Sequence, residues 1–337
     1  MTKMKEIEAD GDISSFINAL KEDFGSIDLN EETWFRGQSD YVHKLIPSLF
    51  RYDVNKASST LDYDEVVMYD EAEIYAEFIR RYPEHSNSHK NVFEWLTLMQ
   101  HYRLPTRLLD WSTNLLVALF FCCNEEQDKD KDGAIFAFNP YVDLSLPDDF
   151  RKFLEIQVTS YDKIIFYEQL IKLAEKEFGE ETKINKIKIK DIKSDLGYIV
   201  KAINNGTGKF ESFGQMLKMQ AISLNDYDEK IDQFSKTYSY KPPHLNPRIR
   251  QQHGCFTFHG GKYFEGSEFI QSLEMDQQYS LIKIRVKHDV KQKLLHELAL
   301  SGISEATLFP EMEYQSKQIK DRYKKAYKLI PGTQFLY

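Results

Sequence analysis

Only three cysteines occur in the 337 residues, and two of them, Cys122 and Cys123, are adjacent. An odd count with no CxxC spacing argues against a disulfide frame and a zinc site, and the expectation is reduced thiols in a reducing compartment, the cytoplasm by default. Long hydrophobic runs are also lacking. The longest, Leu115–Cys123, is too short to cross a bilayer, so no membrane association is expected. The opening MTKMKEIEADGD has neither an apolar core region nor a small-residue cleavage site, and no signal peptide is expected. A basic surplus is missing too: 44 Lys+Arg stand against 53 Asp+Glu, a net charge of −9. Proteins that live on non-specific phosphate contacts usually carry the opposite balance, so nucleic acid is not a favoured partner. A local basic pocket stays compatible with that total, because net charge says nothing about distribution.

Several catalytic signatures fail on inspection. His296-Glu297 starts like HExxH, but position 300 is Leu300. Gly206-Thr-Gly208-Lys209 resembles part of a phosphate loop, yet Ile203 and Phe210 occupy the required glycine and Ser/Thr positions. There is no GxSxG or GxGxxG, and the nine histidines show no ligand-like spacing. A metal enzyme, a P-loop enzyme and a Rossmann dehydrogenase are all poorly supported, and no metal site is expected.

What is present is enough apolar material for a substantial core, 42% hydrophobic and 14% aromatic. Residues 1–30 read as a helical lead-in, with a helix over roughly 13–24. Val67, Ile74 and Phe78 have the spacing of one helical face between 62 and 82, and Pro83 ends that helix. Val92, Leu96 and Met99 repeat the pattern up to Gln100-His101, before Pro105. A helix capped by Asp110 or Ser112 is expected through Cys123, apolar nearly all round and hence buried. Residues 125–133 read as a solvated turn and Gly133–Phe138 as a buried strand. Residues 141–243 look like a mostly helical insertion, with an amphipathic helix marked by Ile164, Tyr167, Ile171, Ala174 and Phe178. The lysine/isoleucine run at 183–193 is open between an exposed strand and a helix start. Strand signals return over 248–258 and, half-buried by alternation, over 282–286. Helices follow at 294–300 and 319–327. The expected fold is α+β, with strands from 31–140 and 244–337 sharing one sheet.

Two segments carry the chemistry. Trp34-Phe35-Arg36-Gly37-Gln38 sets an arginine between aromatics and a glycine; as a strand it puts Phe35 and Gly37 on one face and Trp34 and Arg36 on the other. Such an arginine suits bidentate binding of phosphate or carboxylate, and equally a structural role stacked on Trp34. Gln100–Thr113 mixes Thr106, Arg107, Asp110, Ser112 and Thr113 with the apolar anchors Leu108, Leu109 and Trp111. That mixture fits a pocket wall; it also fits a buried network in which Arg107 pairs with Asp110 and Ser112 caps the next helix.

With FRGQ and HYRLPTRLLDWSTNLLVALFF on the page, the chain resembles the FRG-domain family of bacterial and phage proteins. Arg250–Phe256 fits that family too, as do Gly302-Ile303 and Thr307–Pro310, in the expected order. Arg103 departs from the pattern, standing where the family usually has glycine. The middle third carries no family motif.

A more distant resemblance is to ADP-ribosyltransferases, which place in order an arginine or histidine on a first strand, a Ser/Thr motif on a second followed by a helix, and a Glu or Gln on a later strand. Arg36, then Ser112-Thr113 with Ala118–Phe121, then Gln251-Gln252 follow that order. The resemblance implies a mixed, mainly antiparallel sheet of that type and NAD as substrate or ligand. It implies catalytic roles for Arg36, His101, Asp110 and Gln252. It also implies binding roles for Arg36, Gly37, Gln38, Tyr102, Thr106, Arg107, Trp111, Ser112, Thr113 and Gln251, with Tyr102 or Trp111 stacking. The third motif position is Gln252 or Gln251, not glutamate, so binding is the stronger half of the expectation. Asp110, Glu305 or Glu311 could supply a carboxylate, and His101 an acid or base. The expected role is an intracellular toxin or anti-phage effector that cleaves NAD or transfers ADP-ribose. Its rivals are a recognition module for a nucleotide or phage protein and a metal-dependent nuclease-like effector.

Overall fold

The computed structural model describes residues 4–23, 32–51, 53–55, 65–140, 148–160, 169, 236–262, 274–275 and 280–324. In chain order these form β1 (Lys5–Glu8), α1 (Ile13–Asp23), β2 (Trp34–Gln38), β3 (Asp53–Asn55), β4 (Glu65–Val67), α2 (Glu71–Arg81) and α3 (Val92–His101). Next come β5 (Leu108–Ser112), α4 (Leu115–Cys123), β6 (Gly133–Phe138), α5 (Asp148–Thr159) and β7 (Thr237–Tyr240). The last third supplies α6 (Pro247–Gln251), β8 (Gly254–His259), β9 (Ile282–Val286), α7 (Lys291–Leu300), α8 (Glu305–Leu308) and α9 (Met312–Tyr323).

The protein is α+β, built on a seven-stranded mixed sheet in the order β1-β9-β6-β2-β5-β8-β7. The β1–β9 pair at one edge is parallel and the other pairs are antiparallel. One face packs α1, α4 and α7 against Ile135, Ala137, Ile282 and Ile284. The other face carries Trp34, Leu109, Trp111, Phe136 and Phe138. Strand alternation thus assigns Phe35 and Gly37 to the α4 side and Trp34, Arg36 and Gln38 to the opposite side. Helix α4 lies so close to β2 that a Cβ on Gly37 would stand 1.9 Å from the Ala118 carbonyl oxygen.

Local signals account for several elements. Asp70 caps α2 by accepting from the Glu73 N–H, and Asn91 caps α3 through the Glu94 N–H. Other expectations need correction. The lead-in is not only helical, since β1 forms the sheet edge and α1 buries Phe16 and Leu20 in the core. The helix expected over 62–82 begins only at Glu71, after the strand Glu65–Val67. Asp110 and Ser112 cap no helix; both lie in β5, and Asn114 caps α4 through the Leu116 N–H. The turn at 125–133 buries Asp128. Residues 248–251 are helical, because Asn246 accepts from the Arg248 N–H and Pro247 sits at the first helical turn. In β9, Lys283 is buried beneath the Tyr41 ring, so both faces are covered. Within 141–243 the structure describes α5 and the edge strand β7; the amphipathic helix from Ile164 and the lysine/isoleucine run fall outside the described residues. Among the described residues no helix is long and apolar enough to cross a membrane.

A methyl group at Gly37 would force β2 and α4 apart. Gly37→Ala is expected to cost about 3 kcal/mol or more of stability, at the upper end of overpacking effects, read as a lowered urea midpoint.

Candidate functional site

Strands β2 and β5 are neighbours, yet only Phe35 and Ser112 pair between them. On their outer sides both are fully paired, β2 to β6 over five residues and β5 to β8 over five. Beyond Phe35 the two strands part, and the Arg36 guanidinium bridges the gap, Nη1 donating to the Asp110 carbonyl oxygen at 2.6 Å. The parting opens a cleft of about 840 Å³. Val117, Ala118 and Phe121 of α4 line it, together with the segment after β2 and the ends of α3 and α6.

Its charge is not that of the whole protein. Arg36, Lys44, Arg51, Arg103 and Arg248 line the cleft, against Asp110, Glu125 and Asp128. The Arg36 side chain is only 16% exposed. Burial lowers its pKa from the ordinary 12.5 to about 10; Asp110 opposes that shift and Arg51 adds to it. Two guanidinium groups close enough to sense each other, facing one cleft, make a site that gains from an anion. Arg36 stays protonated at neutral pH all the same.

The segment that carries Lys44 and Arg51 is laced to the body of the protein. Tyr41 N–H donates to the Asp132 carbonyl at 2.7 Å, and Gln38 Nε2 to the Lys44 carbonyl at 3.3 Å. The buried Lys291 ammonium donates to the Ser39 carbonyl at 2.7 Å and the Asp128 carbonyl at 2.9 Å. Arg51 Nε donates to the Ile46 carbonyl at 2.9 Å.

Arg36, Gly37, Gln38, His101, Asp110, Trp111, Ser112 and Gln252 all line the cleft. Asp110 is 57% exposed at its mouth, 3.8 Å from Arg36 Nη1, and accepts from Gln100 Nε2 at 2.9 Å. Gln100 Oε1 in turn accepts from the buried Thr106 hydroxyl at 2.6 Å. His101 is half-buried; burial, and then the Arg248 charge, lower its pKa, with Glu311 opposing, so its ring is neutral at physiological pH. Gly37 serves the close approach of α4. Trp111 is buried, with Nε1 donating to Thr257 Oγ1 at 2.9 Å. Ser112 donates to the Gln252 carbonyl at 2.7 Å and accepts from the Asn114 N–H at 3.0 Å. Gln252 is the C-cap residue of α6, and its Nε2 donates to the Leu308 carbonyl at 3.2 Å.

Other expected residues fall elsewhere. Tyr102 is exposed beside Phe78 and His101, Gln251 is exposed at the end of α6 rather than on a strand, and Thr113 donates its backbone N–H to the His253 carbonyl. Glu305 accepts from Lys317, and Glu311 Oε2 is buried with no partner among the described residues. Arg107 needs the clearest correction. Fully buried, it pairs with Glu71 rather than Asp110: Nε donates to Oε1 at 2.7 Å and Nη2 to Oε2 at 2.5 Å. Its Nη1 donates to Gln157 Oε1 and to the His259 and Gly261 carbonyls. Thr106 and Arg107 therefore brace the wall behind the cleft. Arg103 keeps the left-handed turn that glycine would favour, at φ 62°. Arg51, Lys44 and Arg248 were not anticipated. Among the described residues no group of three or more His, Cys, Asp or Glu side chains is placed to hold a metal ion.

A sheet parted around a buried arginine, with cationic residues lining the opening, defines an α+β protein with a predominantly cationic cleft. The family model for the FRG domain matches residues 31–131, from β2 past α4. That match supports the FRG family for the stretch that builds most of the cleft. No curated protein and no solved structure matches the chain significantly.

Two measurements test the bracing. Arg107→Met leaves Glu71 buried beside Lys262, 3.8 Å away, and breaking such a buried pair is expected to cost about 3–5 kcal/mol in urea unfolding. The second concerns His259, buried with Nε2 2.9 Å from Thr257 Oγ1. Burial lowers its pKa from 6.5 to about 3, with Arg36 and Arg107 adding to the effect. The unfolded chain therefore binds the extra proton, so stability from the neutral ring is complete above about pH 6.5 and lost as pH falls toward 3. Unfolding free energies from urea titrations between pH 6 and 5 should drop with a slope approaching ~1.4 kcal/mol per pH unit from this group, and His259→Gln should remove that component.

Proposed function

We propose that the cleft binds a phosphate-bearing nucleotide, NAD in particular, and that the protein cleaves it or transfers its ADP-ribose, acting as an intracellular toxin or anti-phage effector. The observation that carries this reading is the pair Arg36 and Arg51 facing one cleft in a protein of net charge −9. An anion between two guanidiniums relieves their repulsion and takes up their donors. The cleft volume falls in the range of nucleotide-sized sites. An arginine on an inner strand, a hydroxyl at the end of its neighbour and a helix following directly are compatible with an ADP-ribosyltransferase-like core.

In this reading Arg36 and Arg51 hold the phosphates. Asp110, kept at the mouth by Gln100, faces the sugar. Breaking the nicotinamide–ribose bond develops positive charge on the ribose, which a carboxylate offsets and the amide of Gln252 cannot. The neutral His101 ring is available to take a proton from an attacking nucleophile.

A second reading, a recognition module that binds a nucleotide signal or a phage protein without chemistry, draws on a specific observation. Ser112 and Gln252 are spent on each other and on Leu308.

A one-dimensional proton NMR time course with NAD separates the two. Release of nicotinamide, slowed about a hundredfold in Arg36→Ala as for loss of one electrostatic contact, is the expected outcome. Broadening of NAD signals without release, abolished in the variant, selects the recognition module. Spectra unchanged by the protein would reject NAD as the ligand in either reading.

A further inference from the structure

On the face of β2 that looks away from α4, each residue carries a buried polar atom with no hydrogen-bond partner among the described residues: Trp34 Nε1, Arg36 Nε and Gln38 Oε1. A buried polar atom left unpaired costs about 1–3 kcal/mol, so a row of three on one strand is a conspicuous outlay. Arg36 and Gln38 line the cleft. One is a charged donor and the other a neutral acceptor. Gln38 is only 6% exposed. Its amide is held by Nε2 donating to the Lys44 carbonyl, 3.3 Å away. Because a carbonyl can only accept, the nitrogen must be the end that faces Lys44, and Oε1 is the end left without a partner on a side chain that lines the cleft.

We infer that Gln38 is a specificity-determining residue, whose Oε1 accepts a hydrogen bond from a neutral donor on the ligand next to the anionic group held by Arg36. The two side chains stand two residues apart on one strand face, roughly 7 Å along the chain. A ribose phosphate presents a phosphate and a hydroxyl at a separation of the same order. A bare polyphosphate offers anionic acceptors at both places, and one of them would face the Gln38 oxygen unfavourably. The ligand class is therefore a phosphorylated sugar or nucleotide and not an inorganic polyphosphate. The inference rests on the reading of the cleft as an anion site, and adds a second, uncharged requirement to it.

Isothermal titration calorimetry with two probes, ADP-ribose and inorganic pyrophosphate, tests it on wild type, Gln38→Met and Arg36→Ala. Methionine keeps the length and bulk of glutamine without a comparable acceptor. Gln38→Met should weaken ADP-ribose about five- to tenfold more than pyrophosphate, the worth of one hydrogen bond, and any loss common to both probes reports the missing tie to the Lys44 carbonyl. The pyrophosphate arm also reports whether the variant keeps its fold and its cationic half. Unchanged ADP-ribose affinity, or equal weakening of both probes, overturns the role of Gln38. Arg36→Ala weakening both probes supports the anion site on its own. Failure of the wild type to bind either probe overturns the anion site and the role of Gln38 with it.

Discussion

The separation of β2 from β5 is the constraint on which the rest of the site depends. Two neighbouring strands that pair at one point expose peptide groups that a continuous ladder would have used. Such groups must be satisfied in some other way. Here the Arg36 guanidinium does part of that work by bonding the Asp110 carbonyl, and helix α4 closes the floor. The helix can lie there because Gly37 has no side chain. Cleft, arginine and glycine are thus three aspects of one arrangement, which is why they occur within a few residues of each other in the sequence.

Behind the opening, the wall is stiffened by groups that resemble a binding site when read along the chain. Arg107 and Thr106 sit in a run dense with hydrogen-bonding side chains, yet both are buried and saturated from within. Arg107 gathers Glu71, Gln157 and two backbone carbonyls from segments far apart in sequence. The neutral ring of His259 and the Trp111 indole meet at the Thr257 hydroxyl. A cleft with a charged mouth needs a rigid back, since a side chain with alternatives would not hold its partners in one geometry.

The strands β2, β6 and β9 and the helix α3 could be read directly, because their signals are local: alternation, helical spacing, a cap and a terminating proline. Strand β5 was obscured by its own polar residues Asp110 and Ser112, whose partners lie on α3, on β2 and at the end of α6. Strand β1 carries a single apolar residue, Ile7, in KEIE, and it exists through pairing with β9. For α6 the signal was present in Asn246-Pro247, a cap followed by a first-turn proline, but the apolar run downstream outweighed it. At the site, Arg36, Gln38, Asp110 and Gln252 were accessible from motif and residue type. Lys44, Arg51 and Arg248 were not, because nothing in their local sequence says that they converge.

The segment after β2 enters this arrangement already tied down at Tyr41, Ser39, Lys44 and Arg51. A flexible cationic loop would have to surrender its conformational freedom each time it closed on an anion, and that loss would be subtracted from affinity. Here most of the loss is incurred once, during folding. For the anion binding proposed above, association would then amount to docking onto a prepared surface, with differences in affinity among ligands expressed in how long each one stays rather than in how fast it arrives.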